Sequence, residues 1–64
     1  MENRIKSLRK EKKMSQEELA NACDVSRQTI NAIENNKYDP SLALAFQIAS
    51  ILCVPIDELF IYRK

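Results

Sequence analysis

Glycine and histidine are both absent from this 64-residue sequence, and each absence removes a class of chemistry. Without histidine there is no imidazole to act as a general base near neutral pH or to bind a transition metal. The two cysteines, Cys23 and Cys53, lack the CxxC spacing of a zinc site, and two thiolates alone leave such a metal short of ligands. Without glycine there is no flexible loop of the phosphate-cradling type. No nucleophile stands beside a base. Catalysis is therefore not expected, and neither is a cofactor, a metal or a small-molecule substrate. Long apolar runs are missing too. Nothing approaches the ~18 residues of a membrane span, and the start lacks the charged-then-apolar order of a secretion signal. The expectation is a soluble, cytoplasmic protein with no membrane partner. In that reducing setting the two cysteines, each among apolar helical neighbours, read as small hydrophobic residues rather than as a disulfide.

The length points to one domain, residues 1–64, near the lower limit for folding alone. A chain of this size buries only about 60% of the surface its unfolded form exposes. That leaves little room for a substrate cleft and its supporting shell, and it makes help from a second copy welcome.

Charge is distributed unevenly. Residues 1–13 hold six Lys and Arg against Glu2 and Glu11, a net +4, while the remainder holds four basic and seven acidic residues, a net −3. A basic segment on a nearly neutral domain is an electrostatic footprint for phosphate, although lysines also favour the C-terminal end of a helix.

Apolar residues recur at helical spacing, and strand signals are almost absent before the last few residues. Five short helices are expected. The first covers about residues 4–12, with Asn3 as N-cap and Ile5 and Leu8 inward. The second opens on "SQEEL", where Ser15 caps and Glu18 reaches back, a capping box. The third follows Ser26, another N-cap, and runs to about Asn35. The fourth, about residues 41–53, is apolar nearly all round and is expected to be central and heavily buried. Pro55 sets off a fifth, "IDELF", with two carboxylates in its favourable first turn. The apolar tail "FIYRK" reads as a short strand, a dimer contact or plain core.

Between the second and third helices "CDVS" leaves about three residues of turn, the connection of a helix-turn-helix unit spanning about residues 16–35. The turn needs a left-handed residue, and Asp24 is among the non-glycine types that accept one. Ala20 is small where two crossing helices meet, with Leu19, Cys23, Val25, Ile30 and Ile33 as apolar contacts. In combination, "SQEELANACDVSRQTINAIENNKYDPSL" resembles the helix-turn-helix of the Cro/phage-repressor type, also called the xenobiotic-response-element family of bacterial regulators. The resemblance extends from "RIKSLRKEKKMSQEELA" to "PIDELF" and is strongest to the small stand-alone members. It implies an all-α, five-helix Cro/repressor-like DNA-binding domain, here with a short terminal strand as an option. Asp24, where the family usually has glycine, is the one departure.

The third helix can be sorted without the family. At about 100° per residue, Arg27, Asn31, Asn35, Gln28 and Ala32 share one arc of roughly 140°, while Ile30 and Ile33 lie opposite. An arc of Arg, Gln and Asn suits the major groove, where Arg pairs with guanine and Gln or Asn with adenine. Arg27, Gln28 and Asn31 are the candidate base readers, and Ala32 a candidate contact to a thymine methyl. Glu34 falls between the arc and the Ile30 edge, and a carboxylate there would repel DNA. In the resembling family this glutamate pairs with an arginine of the first helix, which implies an Arg9–Glu34 ion pair. Candidate phosphate contacts are Gln16, at the start of the second helix where family members place a glutamine against the backbone, with Ser26, Thr29, Asn36, Lys37 and Tyr38.

The resemblance implies a homodimeric regulator, most simply a repressor, on a near-palindromic operator of double-stranded DNA. Weak binding of half-sites by so small a monomer argues the same way. The interface is expected on Leu59, Phe60, Ile61 and Tyr62 with the end of the fourth helix. With no room for an effector domain, control is expected through abundance or a second regulatory protein. Two alternatives share these residues: an antitoxin or restriction-controller DNA-binding protein, and a protein-interaction adaptor that uses the scaffold without DNA.

Overall fold

A computed structural model of the protein describes residues 1–62. The elements run β1 (Glu2–Asn3), α1 (Ile5–Glu11), α2 (Gln16–Ala22), α3 (Arg27–Glu34), α4 (Leu42–Leu52), α5 (Ile56–Leu59) and β2 (Phe60–Ile61). Among the described residues five helices thus carry the fold, and a two-stranded antiparallel sheet joins the first element to the last, with Glu2 opposite Ile61 and Asn3 opposite Phe60. The Arg4 N–H donates to the Leu59 carbonyl at 2.8 Å, just beyond the paired residues.

Helix starts follow from serine. Ser15, Ser26 and Ser41 hold extended backbone, and each side chain accepts the N–H three residues on, from Glu18, Thr29 and Leu44. Glu18 completes the box by accepting the Ser15 N–H at 2.9 Å. Each such cap is worth about 1 kcal/mol over alanine. The first helix differs from the sequence expectation. Its cap position is Arg4, which makes no side-chain cap bond, because pairing with β2 draws Asn3 into β1. Asn3 still accepts the Ile5 N–H through Oδ1 at 3.1 Å.

Helix ends follow a second rule. Lys13, Asp24, Asn36 and Cys53 have φ of 56°, 57°, 61° and 59°, the left-handed region. In each case the next residue returns its N–H to a carbonyl five positions back: Met14 to Arg9, Val25 to Ala20, Lys37 to Ala32 and Val54 to Ala49, at 2.9–3.1 Å. The left-handed residue donates three positions back, as the Asp24 N–H does to Asn21. This is the Schellman ending, normally built on glycine, and here it occurs four times in a chain that has none. Met14, Val25 and Val54 then tuck against the core, while Lys37 stays exposed.

The core gathers Ile5, Leu19, Ala20, Cys23, Ile30, Ile33, Leu44, Ile48, Ala49, Leu52 and Leu59, one stripe from each helix. Burial pushes the Cys23 thiol up from its ordinary pKa, which keeps it protonated and inert, whereas Cys53 is exposed. Two expectations need correction. The fourth helix is not covered all round: Leu44, Ala45, Ile48, Ala49 and Leu52 are buried, but Leu42 is 70% and Phe46 55% exposed. Its apolar composition exceeds what the other elements of so small a chain can cover. Leu59, expected at an interface, is 0% exposed and belongs to the core, leaving Tyr62 at 75% as the outward member of that tail.

A left-handed L-residue costs roughly 1–2 kcal/mol against glycine, partly offset by the greater freedom glycine loses on folding. Cys53→Gly should therefore raise stability by about 1 kcal/mol. Asp24→Gly should gain less, because aspartate tolerates this region. Urea unfolding of both variants checks the size and the order of the gains.

Candidate nucleic-acid interface

The most extensive contact between any two elements is that of α2 with α3. Ala20, buried at their crossing, leaves room for close approach, and Asp24 turns the chain between them. Ile30 and Ile33 are sunk in the core, so the opposite side of α3 faces out. Arg27, Gln28 and Asn31 are exposed there and, with Ser26, line one open depression. A neighbouring depression, lined by Arg9, Ser15, Gln16, Glu17 and Arg27, makes the surface continuous with the start of α2. Ala32 is half-buried at the edge of the arc.

Beneath this surface lies a charged pair. Arg9 Nε donates to Glu34 Oε2 at 2.9 Å and Nη2 to Oε1 at 3.2 Å, with the two side chains only 9% and 2% exposed. The remaining guanidinium nitrogen, Nη1, donates to the Met14 carbonyl at 2.8 Å, fastening the α1–α2 turn. Gln16 Nε2 donates to Glu34 Oε1 at 3.1 Å, and its Oε1 faces Asn31 Nδ2 at a long 3.5 Å. Among the described residues no buried side-chain nitrogen or oxygen lacks a partner.

The other expected phosphate contacts are placed variously. Ser26 and Thr29 bond through their hydroxyl oxygens at 3.0 Å while Ser26 also accepts the Thr29 N–H. Two hydroxyls carry two hydrogens, so one remains for an outside acceptor. Asn36 Oδ1 accepts from Asn3 Nδ2 at 3.3 Å, while Lys37 and Tyr38 are exposed. Two asparagines to which the sequence assigns no place among the candidate contacts matter here. Asn3 Nδ2 also donates to the Ile33 carbonyl at 2.8 Å, holding the end of α3 against β1. Asn35 Nδ2 donates to the Asn31 carbonyl at 2.9 Å and to its Oδ1 at 3.2 Å. Asn35 does lie on the same helical arc as Asn31, which was the available signal.

Met1, Pro40, Leu42, Ala45, Ile56, Asp57, Phe60 and Tyr62 line an open, mainly apolar groove of about 590 Å³. No helix among the described residues is long and apolar enough to cross a membrane.

A close-packed α2–turn–α3 unit with a polar outer arc defines a helix-turn-helix protein of Cro/C1 type. Comparison with known proteins agrees: a family model described as helix-turn-helix matches residues 5–59, and the chain belongs to that family. It is 53% identical to an uncharacterised HTH-type transcriptional regulator of Methanocaldococcus jannaschii, covering 98% of this chain and 96% of that one. It is 36% identical to the immunity repressor protein of Bacillus phage phi105, covering 88% of this chain and 39% of that one. Among solved structures, the restriction-modification controller protein C.AhdI from Aeromonas hydrophila superposes with a TM-score of 0.82 at 32% identity, covering 89% of this chain and 86% of that one. The protein is thus a non-enzymatic, DNA-binding transcriptional regulator.

Removing one partner of the buried pair leaves the other charge unpaired, at a cost of about 3–5 kcal/mol, whereas a hydrophobic replacement of both can be near neutral. Glu34→Leu should therefore be strongly destabilised, and Arg9→Met/Glu34→Leu more stable than Glu34→Leu alone. Urea denaturation of the single and double variants reads the difference.

Proposed function

We propose that residues 1–64 form one DNA-binding domain that acts as a homodimeric repressor, seating α3 of each copy in the major groove of a near-palindromic operator. The observation that carries this reading is the exposed arc of Arg27, Gln28 and Asn31 on a helix whose opposite side is locked into the core. Arg27 and Gln28, at the start of α3, reach deepest, as N-terminal residues of such helices do. Arg27 bonds guanine O6 and N7; Gln28 and Asn31 suit adenine; Ala32 lies against a thymine methyl at the margin. Gln16, Ser26, Thr29, Asn36, Lys37 and Tyr38 flank the arc and hold the sugar-phosphate backbone. They set register without reading sequence. Gln16 keeps one amide hydrogen for this purpose after bonding Glu34.

Dimerisation rests on the uncovered apolar face of α4 with the Phe60–Tyr62 tail. Leu42 and Tyr62 line the apolar groove and stand exposed, and Phe46, one turn along α4 from Leu42, is exposed as well. A near-palindromic operator requires the two α3 helices of such a dimer to lie one DNA turn apart, about 34 Å or 10 bp. The repressor role draws on the similarity to the phage immunity repressor. The similarity to a restriction-modification controller favours, as a second reading, a regulator within such a system, through the same DNA contacts.

Selection of bound duplexes from a random pool, at two salt concentrations, tests the reading. A palindromic consensus is expected, and enrichment of no sequence would sink it. Arg27→Ala should relax one base position per half-site at a cost of about 1–3 kcal/mol, whereas Lys37→Ala should weaken all sequences alike and lower the salt slope by about one. Phe46→Asp, which puts a charge on the apolar face, should sediment as a monomer at tens of micromolar, where the unmodified protein is expected to sediment as a dimer.

A further inference from the structure

Asn31 is held by two tethers of opposite polarity. Asn35 Nδ2 donates to its Oδ1 at 3.2 Å, and Gln16 Oε1 accepts from its Nδ2 at 3.5 Å. A carboxamide can be turned end for end with little change in shape, so its orientation is decided by what its neighbours can donate or accept. Here both neighbours are themselves fixed by groups that only accept. Asn35 directs its NH2 inward because the same nitrogen bonds the Asn31 backbone carbonyl at 2.9 Å. Gln16 directs its oxygen toward Asn31 because its NH2 bonds the Glu34 carboxylate, which Arg9 holds in orientation. Turning Asn31 over would set NH2 against NH2 on one side and oxygen against oxygen on the other.

From this arrangement we infer that Asn35 is a positioning residue for recognition: it fixes which end of the Asn31 carboxamide donates, and so which base Asn31 accepts. The inference rests on the proposed base-reading role of Asn31. After the two tethers, Asn31 keeps one amide hydrogen and one oxygen lone pair, the complement of adenine N7 and N6–H. Thymine, which presents O4 and its C5-methyl at that edge, meets the fixed oxygen with its own O4 and is refused, whereas a turned Asn31 would donate its NH2 to that O4. An Asn31 free to turn loses that discrimination. Asn35 then contributes to sequence selectivity without touching a base.

The test compares duplex selection and equilibrium titration for the unmodified protein, Asn31→Ala, Asn35→Ala and Asn35→Asp, with thermal unfolding followed in parallel. Asn31→Ala locates the base position that Asn31 reads. Asn35→Ala and Asn35→Asp, which both remove the donor, should flatten preference at that same position roughly tenfold while preferences elsewhere persist. Asn35→Asp also adds a negative charge and weakens all sequences, so the readout is the ratio between bases within each variant. A uniform fall in affinity with every base preference intact in either Asn35 variant overturns the inference while leaving the reading by Asn31 in place. If Asn31→Ala alters no base position, the reading itself fails and the inference falls with it.

Discussion

The buried Arg9–Glu34 pair is the contact on which the rest of the structure depends. It joins the first helix to the last turn of α3, and through Arg9 Nη1 it also holds the Met14 carbonyl at the entry to α2. Three helices meet at two side chains. Ile30 and Ile33 drive the same side of α3 into the core, but apolar contacts fix rotation about a helix axis only loosely. A two-pronged guanidinium–carboxylate contact has a plane and a direction, and it holds the outward arc of α3 at one angle.

The remaining constraints act at the helix ends. Three serine caps set where helices begin, and four left-handed residues set where they stop. Each ending puts a residue back on the chain, and three of these are apolar and pack inward. Lys37 occupies the fourth such place, directly after α3, and projects into solvent. The shared geometry thus serves packing at three ends, while at the fourth it directs a cation beside the polar arc.

Much of this was legible in the sequence. The five helices, the Ser15 and Ser26 caps, the capping box and the left-handed Asp24 follow from local chemistry that each short stretch carries within itself. The sorting of α3 followed from helical angle alone, and the Arg9–Glu34 pair came from the family resemblance. What stayed hidden depends on contacts distant in the chain. A short strand in the Phe60–Ile61 tail is one of the options its residues offer, but Glu2–Asn3 is too short to show a period, so its pairing leaves no signal and Asn3 reads as a cap. Lys13 and Cys53 are not turn formers, and only the completed helix ends reveal their left-handed backbone. Composition cannot say which faces of an apolar helix find partners. Hence α4 reads as more heavily buried than it is, and Leu59 as part of a surface it does not reach.

The role of Glu34 is sharpest when set against what could replace it. In a chain of this size core volume is scarce, and a buried ion pair is no more stabilising than a well-packed hydrophobic pair of similar volume. Leucine and methionine could press α1 against α3 equally well. They have no donor or acceptor, however, and would leave the Gln16 amide free to turn. Only an acceptor at Glu34, held in place by Arg9, imposes a direction on Gln16, and Gln16 passes that direction outward to Asn31. Asn35 brings the matching constraint from the helix backbone itself. The charge in the core therefore does something that packing cannot: it gives the exposed carboxamide above it a sense, donor on one side and acceptor on the other, before any DNA arrives.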